Sequence, residues 1–322
     1  MFEKLLSFFD RHQSFILTTH DPADADGLGA ELVFAAVLKK QGKTFRIINA
    51  APVPALFRFM DTGGLVEQWD AEKHGSLSGQ SALIILDTSD EYHIGCMKET
   101  LTQVQEVFAF DHHEPKPRAK LSGIIESSAA STSELAVELA AFAGVDLEPQ
   151  TATAAYTGIV YDSGFFAYSK TSLRTFRAAV KTLEWGAVPN YVYRQLMENA
   201  SSGTLLLQKR SFSTLELYNS GRIAVQILRK EDLAAAGAHF EDAETFVNMP
   251  LKSKEVEVSL LVKETPGGEV RCSLRSKGKV NVSKIAQNFG GGGHVTAAGF
   301  KSSLGLEETQ KKLLEDVQAR LG

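Results

Sequence analysis

The chain has 322 residues, long for one hydrophobic core, so two domains are expected. Hydrophobic residues at 43% and charged residues at 23% exclude a fibrous or disordered chain. Lys+Arg 34 against Asp+Glu 39 gives a net charge of -5, which excludes a general attraction to duplex nucleic acid or an anionic membrane but leaves room for a local basic patch. The two cysteines, Cys96 and Cys272, lie outside any CxxC pattern, so neither a disulfide framework nor a thiolate zinc site is expected. The opening residues carry Glu3 and Asp10 and resemble no leader, and no long apolar run follows. A cytoplasmic protein that spans no membrane is the expectation.

Phe2, Leu5, Leu6 and Phe9 recur at helical spacing and predict an amphipathic opening helix. Residues 15–19 predict the first strand, which runs into His20-Asp21-Pro22-Ala23-Asp24-Ala25-Asp26-Gly27, and residues 28–40 read as a helix stopped by Gly42. Residues 44–49 and 82–86 predict two further strands, the second ending at Asp87. Residues 107–110 form another apolar run that enters Asp111-His112-His113 without a gap. Strands separated by helical patterns imply an α/β fold, with a mainly parallel β-sheet flanked by helices. Such sheets bind ligands outside the carboxyl ends of their strands, where His20, Asp87 and Asp111 all fall.

Residues 131–143, 151–161 and 173–185 read as helices, with Ser131 or Thr132 as a cap for the first and Asp162 just beyond the second. Residues 191–210 read as one more helical stretch. From Phe212 the texture changes to short alternating segments at 215–217, 223–227, 256–262 and 270–275, which predict a sheet with one face exposed. A short helix over 282–289, a glycine loop at 290–294 and a helix over 306–321 complete a smaller α+β domain. The expected division is 1–188, a helical connector over 189–211, and 212–322, with the active site in the cleft between the domains.

His20, Asp24, Asp26, Asp87, His112 and Asp162 are two imidazoles and four carboxylates around one rim, a ligand supply for two metals. Oxygen and nitrogen donors without thiolate suit manganese best, with magnesium or another divalent ion as alternatives. Two such ions polarise a phosphoryl oxygen and generate a nucleophile from water at neutral pH. His12, His74, His93 and His239 lack partners at ligand spacing and read as surface or structural residues.

His20-x-x-x-Asp24-x-Asp26, Asp87, Asp111-His112-His113 and Asp162 resemble the four ordered motifs of the RecJ-like DHH phosphoesterases. Ser273-Leu274-Arg275-Ser276 and residues 290–299 resemble the C-terminal DHH-associated domain of the nanoRNase and pAp-phosphatase branch. The resemblance covers nearly the whole chain. It implies that His20, Asp24 and Asp87 hold one metal and that Asp26, Asp87, His112 and Asp162 hold the other, with Asp87 bridging. It further implies that His113 faces the substrate and that Asp111 orients the histidines. Ala30 departs from the family pattern, which usually has serine there, but removes no ligand.

Consecutive glycines let a backbone approach an anion. Residues 271–301 also carry Arg271, Arg275, Lys277, Lys279, Lys284 and Lys301 and no acidic residue. Arg275, Ser273, Gly291, Gly292, Gly293 and His294 are therefore the candidate substrate-binding residues, with Arg275 best suited to a bidentate phosphate contact. The resemblance implies an enzyme that hydrolyses short single-stranded oligonucleotides and pAp, uses two divalent metals, and forms a homodimer. Linear dinucleotides, polyphosphate and pyrophosphate are alternative substrates. A non-catalytic nucleotide-binding protein is the alternative from another class.

Overall fold

The computed structural model describes residues 1–74, 79, 81–114 and 121–321. The chain divides into two compact units, Met1–Glu198 and Asn199–Gly322.

In the first unit, α1 (Glu3–Arg11) buries Leu5 and Phe9, as its spacing predicts, and also Phe8, which that spacing leaves out, while Leu6 is only partly buried. β1 (Ser14–Thr19) leads to α2 (Ala25–Lys40), β2 (Thr44–Asn49), β3 (Val66–Gln68) and the single turn α3 (Ala71–His74). Then come β4 (Ala82–Leu86), β5 (Val107–Asp111), β6 (Gly123–Ile125), α4 (Thr132–Phe142), α5 (Pro149–Asp162), α6 (Leu173–Glu184) and α7 (Pro189–Met197). The six strands form one parallel sheet in the order β3-β2-β1-β4-β5-β6. All five residues of β4 are buried, as a strand covered on both faces requires. Strand order reverses between β1 and β4, so the connections leaving their carboxyl ends diverge and open a crevice there. A core of Phe8, Phe9, Phe15, Phe34 and Phe110 lies under the sheet, with the Phe34 and Phe110 rings edge-on at 4.9 Å.

α2 begins three residues earlier than its apolar pattern indicates. The reason is Asp24, whose carboxylate accepts hydrogen bonds from the N–H groups of Asp26 at 2.9 Å and Gly27 at 3.2 Å and caps the helix. β3 and β6, each three residues long, carry too short a pattern to predict.

In the second unit, α8 (Ser202–Ser213) precedes β7 (Glu216–Tyr218), β8 (Ile223–Leu228), α9 (Lys230–Ala236), β9 (Val258–Glu264) and β10 (Val270–Ser276). α10 (Val282–Asn288), β11 (Gly292–Gly293), β12 (Ala297–Ser302) and α11 (Leu306–Leu321) follow. The stretch 191–210, read as one helix, is broken between α7 and α8, and Ser201 caps the second by accepting from the Thr204 N–H at 3.0 Å. The sheet is mixed, in the order β11-β12-β10-β9-β8-β7, with β8 and β9 parallel. One face packs on α10 and α11 through Val258, Leu260, Val262, Cys272, Leu274 and Phe300. The other face is not simply exposed, as the alternation implied. Leu261 is covered by Leu207 of α8, Leu233 of α9 and short helical turns carrying Ala243, Phe246 and Val247.

Candidate metal centre

Each candidate ligand is placed by the end of a regular element. His20 follows β1, Asp24 caps α2, and Asp26 lies in its first turn. Asp87 follows β4, His112 follows β5, and Asp162 ends α5. His20 Nε2 lies 3.6 Å from Asp24 Oδ1 and 3.4 Å from Asp87 Oδ2. His112 Nε2 lies 3.1 Å from Asp162 Oδ2, 3.5 Å from Asp87 Oδ1 and 3.8 Å from Asp26 Oδ2. Two ligand sets result, His20-Asp24-Asp87 and Asp26-His112-Asp162, and each Asp87 oxygen faces a different one. Asp87, His112 and His113 also converge closely enough to share an ion.

Burial of so many carboxylates has an electrostatic cost. Burial first, then the charges of Asp87, Asp162 and Asp24, hold Asp26 well above the usual carboxylate range. Burial likewise pushes Asp87 up. Burial pulls the His20 imidazole down, but hydrogen bonds and charge from Asp24 and Asp87 overcome it and raise the group to about 11. Asp24 moves the other way: burial raises it, but the hydrogen bond and charge of His20 together with the Gly27 and Asp26 N–H groups lower it below its ordinary value.

His112 gives the most direct test of whether cations fit. Its Nδ1–H donates to the Ala129 carbonyl at 3.3 Å, so in the neutral ring Nε2 carries the lone pair. Among the described residues that nitrogen is buried, has no hydrogen-bond partner, and faces three carboxylates. A lone pair aimed at carboxylates is repulsive unless a positive charge lies between them. The oxygen and nitrogen donors of both sets fit divalent cations.

Supporting contacts fix these side chains. The first N–H groups of α4 meet the Asp26 carboxylate: Thr132 N donates to Oδ2 at 2.6 Å and Ser133 N to Oδ1 at 2.7 Å. The Thr132 hydroxyl donates to Asp87 Oδ1 at 2.7 Å. Asp87 has a φ of 62°, the left-handed region that only glycine, asparagine and aspartate enter at low cost. His113 turns Nδ1 to Asp111 Oδ1 at 2.8 Å, and that hydrogen bond raises the imidazole's pKa although burial opposes it. Asp111 itself is fully buried. The sequence reading missed Thr132 and Ser133 as ligand supports; their only signal was the helix start they mark. It also missed Lys170, whose ammonium donates to the His112 carbonyl at 3.3 Å.

The other candidate residues belong to the second unit. Ser273, Arg275 and Gly291 line a cavity of about 570 Å³, together with Lys263, Arg271 and Lys301. Gly292, Gly293 and His294 lie beside it in and after β11. The glycines do not form an open nest of N–H donors. Gly290 N and Gly291 N donate to the Gln287 and Ala286 carbonyls and close α10, and His294 N donates to the Ala297 carbonyl. Their contribution is space, since a Cβ on Gly291 would lie 2.3 Å from the Gly299 carbonyl oxygen. Lys277 and Lys279 also leave the expected basic patch, the first donating to the Ser253 carbonyl and the second pairing with Glu257 at 2.6 Å. Of the four other histidines, His74 is buried and accepts from the Asp70 N–H at 2.9 Å, a structural role.

Comparison with known proteins agrees with this geometry. Residues 14–159 match the DHH family, N-terminal domain, and residues 220–322 match the DHHA1 domain. The bifunctional oligoribonuclease and PAP phosphatase NrnA of Thermus thermophilus is 28% identical over 307 residues, covering 95% of this chain and 89% of that protein. The cyclic-di-AMP phosphodiesterase PdeA of Listeria monocytogenes is 29% identical over 251 residues, 76% of this chain but 37% of that protein. A crystal structure titled as an exopolyphosphatase-related protein from Bacteroides fragilis superposes with a TM-score of 0.87 at 25% identity, covering 98% of this chain and 94% of that one. Among the described residues, no helix is long and apolar enough to cross a membrane. The chain thus carries a DHH family N-terminal domain over residues 14–159 and a DHHA1 domain over residues 220–322.

Proposed function

We propose that the protein is a metal-dependent phosphoric ester hydrolase that cleaves short oligonucleotides to mononucleotides and converts pAp to AMP. The observation that carries this reading is Asp87, whose two oxygens face two separate histidine-carboxylate sets. In this reading His20, Asp24 and Asp87 hold one divalent cation, and Asp26, Asp87, His112 and Asp162 hold the other. Manganese is the best match to their donors. Such ions supply Lewis-acid polarisation of a phosphoryl oxygen and lower the pKa of an attacking water.

The chain's own groups do the rest. Asp87 keeps the two sets in register, and Thr132 and Ser133 hold Asp87 and Asp26 in place. His113, half exposed and made more basic by Asp111, presents its outer nitrogen as a proton donor to a phosphate oxygen. Arg275 and Ser273 hold the substrate's terminal phosphate, with His294 beside them and Gly291, Gly292 and Gly293 leaving it room. The names of the Thermus relative and of others aligned over most of the chain support this substrate class.

The test is turnover of labelled RNA dimers to pentamers, and of pAp, with manganese. Asp87→Asn should lower both activities about a thousandfold or more, since it removes a charge shared by both sets. Its far-UV spectrum should be unchanged, because asparagine tolerates the same backbone. No turnover of either substrate by the natural protein overturns the reading, and full activity in the variant refutes the bridging role. A second reading, hydrolysis of a linear dinucleotide or of polyphosphate, is favoured by the strongly cationic cavity and is decided by competition between substrates.

A further inference from the structure

The cavity of the C-terminal unit has two cationic ends. Strand register sets Lys263 of β9, Arg271 of β10 and Lys301 of β12 side by side in one row. Arg275 lies four residues further along β10, in the row of Ser259 and Ala297. At ~3.3 Å per residue the two positions are about 13 Å apart. Between them the row of Leu261, Ser273 and Gly299 has no side chain at Gly299, against which Gly291 packs, so the cavity stays continuous.

Like charges directly opposite one another destabilise a sheet, and a buried ammonium needs a compensating partner. Lys263 is nevertheless 4% exposed. Among the described residues, Lys263, Arg271 and Lys301 have no hydrogen bond or ion pair to an acidic group. Lys263 and Arg271 instead face the Phe240 ring, 4.0 and 5.6 Å from its centroid. Glu244 is the single carboxylate among the cavity's lining residues, against four cations. Other cations of the unit do find carboxylates, as Lys279 does with Glu257 and Arg229 with Glu307. The charges of Glu244 and Glu241 offset the burial of Lys263 only in part, and Arg271 and Lys301 beside it are exposed, so the row is open to an anion from solvent.

We propose that Lys263, Arg271 and Lys301 form a second anion subsite, distinct from the one at Arg275, so that this unit holds two phosphates of one extended strand. The identity of the ligand as an oligonucleotide rests on the proposed function. The two phosphates of pAp share one ribose and are too close to bridge both ends. A strand of three or more nucleotides reaches from one to the other.

The test measures binding by the full chain with metals removed by EDTA, using a 5′-phosphorylated RNA trinucleotide and pAp as probes. Arg271→Gln and Lys301→Gln should each weaken trinucleotide binding about tenfold and leave pAp binding unchanged. Arg275→Gln should weaken both. Lys263→Met should weaken the trinucleotide without lowering the melting temperature, because it removes a buried charge from a like-charged row. Unchanged trinucleotide affinity in the Arg271 and Lys301 variants overturns the proposal. So does an equal loss for pAp, failure of the natural protein to bind the trinucleotide, or a lower melting temperature with intact affinity in Lys263→Met. Catalysis is read separately: the expected binding pattern without manganese-dependent turnover leaves the subsite standing and removes the hydrolase.

Discussion

Glu31 is fully buried one helical stretch beyond Asp24, with Oε2 accepting from Asn49 Nδ2 at 3.0 Å and Oε1 without a partner among the described residues. Asn49 in turn accepts from the Thr19 N–H at 3.1 Å, immediately before His20. Burial raises the Glu31 carboxyl to about 8, only partly offset by the Asn49 hydrogen bond. The group's folded pKa therefore lies above its unfolded value, and the folded chain keeps a proton that the unfolded chain releases. Stability is full below the unfolded value near 4.5 and is lost as pH rises toward 8. Glu31→Gln should remove this slope, so that its stability in EDTA gains on the natural protein's between about pH 5 and 8, by a few kcal/mol at most. Thermal unfolding across that range checks it, and identical slopes for the two proteins would count against a buried neutral acid.

Three helices meet where no side chain intervenes. A Cβ on Gly158 of α5 would lie 2.1 Å from Ser133 Oγ of α4 and 3.0 Å from the Ala25 carbonyl oxygen of α2. Gly29 of α2 is as tight, at 2.9 Å from the Ala154 carbonyl oxygen. This closeness lets α4 put its first N–H groups on Asp26 while α5 ends at Asp162. Gly158→Val should cost about 1–3 kcal/mol by overpacking and weaken manganese binding with it. Denaturant unfolding and metal titration read the two effects, and an unchanged midpoint would refute the close contact.

The same elements explain what is legible in the sequence. Each candidate ligand abuts a recognisable feature, a buried strand for His20, Asp87 and His112 or a helix end for Asp24, Asp26 and Asp162. Lys263 is not legible, because in an alternating strand it reads as an ordinary exposed lysine; short helical turns without periodicity of their own bring Phe240 over it. β12, with Ala297, Ala298 and Gly299, lacks the β-branched residues that announce a strand.

The two units have separate cores, one built on Phe34 and Phe110, the other on Leu260 and Leu274. All candidate metal ligands belong to the first. Calorimetry should resolve two transitions, and EDTA should shift only one. With metal at a hundredfold excess over its dissociation constant, each site adds ~2.7 kcal/mol, or roughly 5–10 °C for a unit of this size. Equal shifts of both transitions, or none, would contradict a metal centre confined to the N-terminal unit. The order along the chain adds a consequence for biosynthesis. The ligand positions end at Asp162, whereas the row of cations is complete only at Lys301. A ribosome adding about 5–20 residues per second exposes the first set on the order of ten seconds before the last of the second. On the proposed reading the nascent N-terminal unit would select its ions before the cavity of the second unit could hold a nucleotide.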